Sequence, residues 1–258
     1  MTGSSGKCFD FTGKTAIVTG GASGIGKAAA LSFGACGARV AVFDMQDAAG
    51  EAVCGEIRSA GGEAAYLRTD VANIAQVKAN VDSLRARWGR IDIIVCCAGV
   101  VHAKPFLETS EEEFDRLYSI NVKGIFACNR AVLPIMMEQK YGKIVNIGSV
   151  AGKTGGGFHG STLYGSTKGA VIAMTKGVAR EAGSFGVNVN CICPGAVDTP
   201  MLKEVTPEKR AYLISLSMLP RFADPQDIAD AALFLASDCA KHITSGIINV
   251  DGGVNKGN

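Results

Sequence analysis

The sequence has no block of like charge. Its 26 lysines and arginines and 24 aspartates and glutamates are mixed along 258 residues, for a formal net charge of +2. No basic stripe is offered to a phosphate backbone, and nucleic acid is not expected as a partner. Long apolar runs are also missing. The longest are strand-sized, far short of the ~20 residues of a membrane span, so no membrane is expected either. The opening MTGSSGK has no apolar stretch, which argues against a secretory signal. Histidine is scarce. His102, His159 and His242 stand at no ligand spacing from one another or from the Cys96-Cys97 and Cys191-x-Cys193 pairs, and no metal site is expected.

Cysteine is plentiful by contrast, with nine in all, and most lie in apolar segments: Cys36, Cys54, Cys96, Cys97, Cys128, Cys191 and Cys193. A secreted chain would pair them, whereas burial as thiols suits a reducing cytoplasm, the expected location. No shift in composition marks a linker, and a chain of this length buries one large core. The expectation is a single domain over 1–258, with residues 1–12 as a flexible leading segment.

One alternation repeats along the chain. Thr15 to Thr19, Arg39 to Phe43, Ala64 to Arg68, Ile91 to Cys96, Gly142 to Gly148 and Val187 to Cys193 are short and mostly rich in Val and Ile, as buried strands are. Between them, 24–36, 47–60, 73–87, 111–138 and 163–183 have helical spacing. A further helix near 226–236 and a last strand over Gly246 to Asp251 follow. Strands alternating with helices predict an α/β fold: a doubly wound parallel sheet of about seven strands with helices on both faces.

Ligands of such sheets bind beyond the carboxyl ends of the strands. After the first strand comes TGGASGIG, Thr19 to Gly26. Gly20, Gly24 and Gly26 permit a tight turn, close approach to a pyrophosphate and tight helix–sheet packing, and the helix N-terminus adds free N–H donors. A plain turn would use the same glycines. The context is more specific, because the motif joins a strand to a helix and Asp44 ends the second strand eighteen residues after Gly26. A carboxylate there accepts hydrogen bonds from an adenosine ribose, although a strand-end carboxylate also serves as a cap. It would repel a 2′-phosphate unless a base intervened. The chain neighbours are Phe43 and Met45, and Ser23 is uncharged, so NAD is expected over NADP, with Lys27 the one cation able to reach round.

YGSTK, residues 164–168, sets a tyrosine and a lysine one helical turn apart. A phenol is a poor base at neutral pH, and a nearby ammonium stabilises its anion. The helix is expected to bury Leu163, Ala170, Met174 and Val178, with Tyr164 and Lys168 together on an adjacent face.

These residues carry a resemblance. TGGASGIG, Asp70-Val71 after the third strand, CAG at 97–99, Asn121, Ser149, YGSTK, PG at 194–195 and DGG at 251–253 stand in one order over nearly the whole chain, which resembles the short-chain dehydrogenases/reductases. The resemblance implies that Tyr164 is the general acid/base, that Lys168 stabilises its phenolate and binds the nicotinamide ribose, and that Ser149 donates to the substrate oxygen. It further implies that the backbone carbonyl of Asn121, at a helix distortion, holds a water linking Lys168 to solvent. Cofactor contacts fall to Gly20, Ser23, Gly24, Ile25, Gly26, Asp44, Asp70, Val71, Ala98, Gly99, Tyr164, Lys168, Pro194, Gly195, Val197 and Thr199. The family usually has two asparagines where this chain has Cys96 and Cys97, so one amide contact to the cofactor is in doubt. Ser149 and Tyr164 are fifteen apart, longer than the family's usual spacing. The extra length falls in GKTGGGFHGST, expected to form a flexible pocket wall with Phe158 and His159.

The resemblance implies an NAD-dependent oxidoreductase of secondary alcohols and ketones, such as hydroxysteroids or polyols, assembled as a homo-oligomer, usually a tetramer. A 3-oxoacyl carrier-protein reductase is the rival enzyme, and it would favour NADPH and a basic docking patch. A non-catalytic dinucleotide sensor is the third reading. Specificity is expected from the region of His102, a pocket liner, from 153–160, and from 199–220. In the last, Met201, Leu202, Tyr212, Leu216 and Met218 either form a substrate lid or serve packing and subunit contact.

Overall fold

Every residue from Thr15 to Thr19 is buried, which a strand achieves only with a neighbour on each side and a helical layer on each face. The computed structural model describes residues 9–156, 161–202 and 205–255. This first strand, β1 (Thr15–Thr19), pairs in parallel with β2 (Arg39–Asp44) and with β4 (Ile93–Cys96). Outward from β2 lies β3 (Glu63–Arg68), and beyond β4 follow β5 (Gly142–Ile147), β6 (Val187–Pro194) and β7 (Ile247–Val250). The seven-stranded order β3-β2-β1-β4-β5-β6-β7 puts the reversal of direction between β1 and β4, where a crevice opens at the carboxyl ends.

Side chains alternate between two cores, as the strand period of two requires. Ala16 and Val18 face α1 (Gly24–Ala35), α2 (Asp47–Ser59) and α9 (Pro225–Ala236). Ile17 faces α3 (Ile74–Trp88), α5 (Gly124–Gln139) and α7 (Thr162–Ala182). The doubly wound sheet expected from the alternation is therefore present, with strand boundaries within a residue or two. The fourth strand starts at Ile93 rather than Ile91. Asp92 serves as an anchor at its foot, where its carboxylate accepts from the Thr15 amide at 2.9 Å and from Arg90.

The helix expected over 111–138 carries the distortion that the resemblance implied at Asn121, divided into α4 (Glu111–Tyr118), a π turn at Ser119–Lys123 and α5. Three features depart from the sequence reading. A short helix α6 (Ala151–Thr154) follows β5, and α8 (Pro207–Ser215) follows β6. The latter was signalled by Thr206-Pro207: Thr206 caps it, accepting from the Lys209 amide at 3.3 Å, and proline occupies its first turn. The flexible segment expected over 1–12 does not include its last residues. Phe11 is buried, packs its ring tilted against that of Phe33 with centroids 5.0 Å apart, and donates its amide to Cys36 O at 2.8 Å. Residues 1–8 lie outside the described residues. Among the described residues no helix is long and apolar enough to cross a membrane.

Candidate active site

The crevice is shaped first by what its glycines exclude. Gly20 has φ of 64° and receives the chain from β1, its amide held by Phe43 O at 2.8 Å. A Cβ at Gly20 would lie 2.9 Å from the Ala98 backbone, and one at Gly26 would lie 2.1 Å from Gly20 O. Neither position accepts a side chain without moving backbone. Gly24 comes within contact of Thr199, where a Cβ would be 3.3 Å from its methyl. The loop therefore touches two other segments expected to meet the cofactor, 98–99 and 194–199. The start of α1 at Gly24, after Ser23 and before Ile25, presents free amides to the same space. A cradle that a Cβ would fill, beside a helix N-terminus, fits the pyrophosphate of a dinucleotide.

Asp44, at the end of β2, holds this loop from below. Its carboxylate accepts from the Ala22 amide and from the Gln46 amide, both at 3.0 Å. An ionised carboxylate has about four acceptor sites, which leaves capacity for ribose hydroxyls. Its surroundings differ from the sequence reading in one respect. The register places Arg68 of β3 opposite Asp44, a cation that adjacency along the chain does not reveal. Arg68 is engaged by Met45 O at 2.9 Å and by Asp47 at 2.7 Å. Lys27, the cation considered able to reach round, pairs with Glu56 at 2.8 Å. Asp70 and Val71 follow β3. The Asp70 carboxylate takes the Ala72 amide at 2.9 Å, and Val71 is buried against Gly124, where a Cβ would lie 2.8 Å from it.

The catalytic candidates converge through hydrogen bonds. Lys168 is only 5 % exposed; its ammonium donates to Ile147 O at 2.9 Å and lies 5.8 Å from the centre of the Tyr164 ring. Two donors of an ammonium remain after that bond. Asn121 lies within the π turn and is fully buried. Its side chain receives the Val100 amide at 2.8 Å, donates to Val100 O at 2.9 Å and donates to Thr167 Oγ at 3.2 Å. Thr167 in turn donates to Tyr164 O at 2.7 Å. Gly99 fits between these groups, since a Cβ there would stand 3.2 Å from Asn121 Oδ1 and 3.6 Å from Lys168 Nζ. The Asn121 amide thus holds the 99–100 turn against the helix that carries Tyr164 and Lys168.

Ser149 follows β5, two residues beyond the carbonyl that anchors Lys168, and its hydroxyl accepts from the Ala151 amide at 3.1 Å. The stretch expected to be a flexible wall is packed over its first part. A Cβ at Gly152 would lie 2.6 Å from the Lys168 backbone, and one at Gly165 would lie 2.6 Å from Gly156 N. These glycines let α6 and α7 approach backbone to backbone. Phe158 and His159 lie outside the described residues. The buried stripe of α7 is centred on Leu163, Thr167, Val171 and Thr175, with the expected Met174 and Val178 packed half-buried at its edge. Threonine qualifies because its hydroxyl is satisfied within the helix, as in the 2.8 Å bond from Thr175 to Val171 O.

Pro194 ends β6 beside β5 and β7, and Gly195 follows it. Pro194 O accepts from Val150 at 3.0 Å, and a Cβ at Gly195 would lie 3.0 Å from Asp251. Val197 is buried and bridges to Ala223. Beyond Thr199, Leu202 and Leu213 of the 199–220 segment pack with Phe222 in a small cluster of their own, while Tyr212 and Met218 are exposed. Cys97 lies at the crevice floor, its thiol pushed up to about 12 by burial against the opposing pull of Lys168. It is a neutral group there. His102 does more than line a wall, since its Nδ1 is 2.8 Å from Ser161 Oγ.

The chain is similar to known proteins over nearly its whole length. A family model described as enoyl-(acyl carrier protein) reductase matches residues 20–255. The chain is 41 % identical over 249 residues to a 2,5-dichloro-2,5-cyclohexadiene-1,4-diol dehydrogenase of Sphingobium indicum, covering 95 % of this chain and 98 % of that one. It is 37 % identical over 242 residues to a cyclopentanol dehydrogenase of Comamonas, covering 93 % and 96 %. Among solved structures, a 3-oxoacyl-[acyl-carrier protein] reductase from Brucella melitensis superposes with a TM-score of 0.89 at 33 % identity, over 95 % of this chain and 92 % of that one.

Proposed function

Since the chain belongs to the short-chain dehydrogenase/reductase family, nicotinamide-dependent oxidoreductases of hydroxyl and keto groups, we propose that it interconverts a secondary alcohol and a ketone with NAD(H). The observation that carries this reading is the Tyr164–Lys168 pair. The ammonium is buried, anchored by Ile147 O at 2.9 Å and 5.8 Å from the phenol ring, beside the glycine-lined crevice. When bound, the nicotinamide accepts or supplies the hydride. Tyr164 Oη takes the proton of the substrate hydroxyl in oxidation and returns it in reduction. Lys168 stabilises the phenolate between those events, and Ser149 donates a hydrogen bond that orients the substrate oxygen. The carbonyl of Asn121 holds a water that relays the proton from Lys168 to solvent.

Gly20, Ser23, Gly24, Ile25 and Gly26 would hold the pyrophosphate, Asp44 the adenosine ribose, Asp70 and Val71 the adenine, and Pro194, Gly195, Val197 and Thr199 the nicotinamide, with Ala98 and Gly99 beside the ribose. NAD is preferred to NADP because Asp44 would accept from that ribose while Arg68 is committed to Asp47 and Lys27 to Glu56. The same argument favours an alcohol dehydrogenase over a 3-oxoacyl carrier-protein reductase. Complete Ser149, Tyr164 and Lys168 favour an enzyme over a dinucleotide sensor. The 199–220 segment acts as a lid over the substrate, and the working form is a cytoplasmic homo-oligomer, by family a tetramer. The test is a coenzyme-reduction screen of steroid alcohols, polyols, hydroxy acids and open-chain and cyclic secondary alcohols, with NAD⁺ and NADP⁺ in parallel. NAD⁺-linked oxidation of one alcohol class is expected. Reduction of a 3-oxoacyl carrier thioester by NADPH alone would overturn the proposal in favour of the carrier enzyme.

A further inference from the structure

Tyr164 stands at the third position of α7, and the first turn of that helix is fixed from outside it. Ser161 is the N-cap, its Oγ accepting from the Tyr164 amide at 3.3 Å. A serine hydroxyl has one proton, so a cap oxygen used as acceptor sends that proton to another acceptor. His102 Nδ1 is 2.8 Å from this oxygen. A neutral imidazole with its proton on Nε2 accepts at Nδ1. Its Nε2–H is then turned toward the Glu113 carboxylate at 3.8 Å, buried and without a hydrogen-bond partner among the described residues. Glu113 is itself held, pairing with Lys104 at 2.6 Å and closing the cap of α4 through the Ser110 amide. The backbone adds a second link, from the Ser161 amide to His102 O at 2.7 Å.

Resting on the reading of Tyr164 as the proton-transfer group, we propose that His102 is a positioning residue: its Nδ1 accepts a hydrogen bond from the Ser161 hydroxyl, turns the lone pairs of the cap oxygen toward the Tyr164 amide, and so fixes the start of the catalytic helix. The same turn is tied to the preceding segment at two more points. Tyr118 Oη lies 2.9 Å from Ser166 Oγ, and Asn121 reaches Thr167. His102 acts on the cap itself, where a shift would displace the phenol relative to the substrate.

The two histidine nitrogens separate this role from simple packing. Asparagine places an acceptor where Nδ1 stands, whereas glutamine reaches toward the Nε2 position and phenylalanine keeps only the volume. In His102→Phe and His102→Gln, exchange of the Tyr164 amide with deuterium is expected to quicken about tenfold, the scale of a lost N-cap. His102→Asn restores it. On the alcohol turned over fastest by the wild type, kcat falls about tenfold in the first two variants and recovers in the third, with Kd for NADH changed by less than about twofold. Exchange that is alike in all three variants, or a fall in kcat that asparagine does not rescue, overturns the proposal. The exchange measurement needs no turnover, so a wild type inert toward every alcohol would defeat the dehydrogenase reading while leaving the clamp to be decided by exchange alone.

Discussion

The two sides of the crevice are built by different means. On the coenzyme side, the 19–26 loop is specified by exclusion: a Cβ at Gly26 would stand 2.1 Å from Gly20 O and one at Gly20 2.9 Å from Ala98. On the substrate side, position is set mainly by side chains, among them Asn121 on Val100 and Thr167, Ser161 between His102 and Tyr164, and Leu202, Leu213 and Phe222 in a cluster apart from the two main cores. Backbone against backbone tolerates one shape. Side-chain ties can be exchanged singly, so this side of the molecule can follow the substrate while the other keeps one coenzyme.

Of the changes that test this contrast, the largest effect on binding should come from breaking the coenzyme side. Gly26→Ala forces a backbone shift at the loop and is expected to weaken NADH binding by about a hundredfold, near the upper end of the ~1 to 3 kcal/mol that overpacking typically costs. Fluorescence titration reads this directly. Asp44→Ala should weaken NADH about tenfold, the value of a hydrogen bond to a charged group. NADPH should be unaffected or bind more tightly, so the ratio of the two affinities sharpens the argument about the ribose.

On the substrate side, Leu213→Ala removes a buried side chain from the small cluster and should cost about 2 kcal/mol, near the low end for such truncations. It should lower the Tm and raise KM, with the affinity for NADH unchanged; an equal loss of NADH binding would merge the two sides. The smallest effect is expected from Cys97→Asn, which restores the family's usual residue. The thiol is held neutral by burial, so the exchange replaces one uncharged group by another and should shift the NADH Kd by about fivefold at most, the value of one neutral hydrogen bond of about 1 kcal/mol.

The same contrast governs what could be read from the chain. The glycine loop, the strand ends and the Tyr164–Lys168 spacing are local patterns, and the sheet follows from alternation alone. Arg68 beside Asp44 was invisible because it arises from the pairing of β2 with β3. The centre of the α7 stripe was misplaced because Thr167 and Thr175 hide their hydroxyls within the helix, so a scale of hydrophobicity does not count them as core. Gly152 falls in the stretch expected to be flexible, although it lets one backbone reach another. The His102–Ser161 contact joins residues 59 apart and has no local signature. At Asn121 it is the resemblance that pointed to a helix distortion, and the π turn at Ser119–Lys123 is where it lies.

The central claim is that a buried ammonium keeps the Tyr164 oxygen available as a proton acceptor beside the nicotinamide. Steady-state turnover and NADH titration of Tyr164→Phe, measured on the same preparation, test it most directly. The account predicts a fall in kcat of about a thousandfold, within the range for a lost acid/base group, with NADH affinity preserved within about twofold. Turnover close to that of the wild type would contradict it.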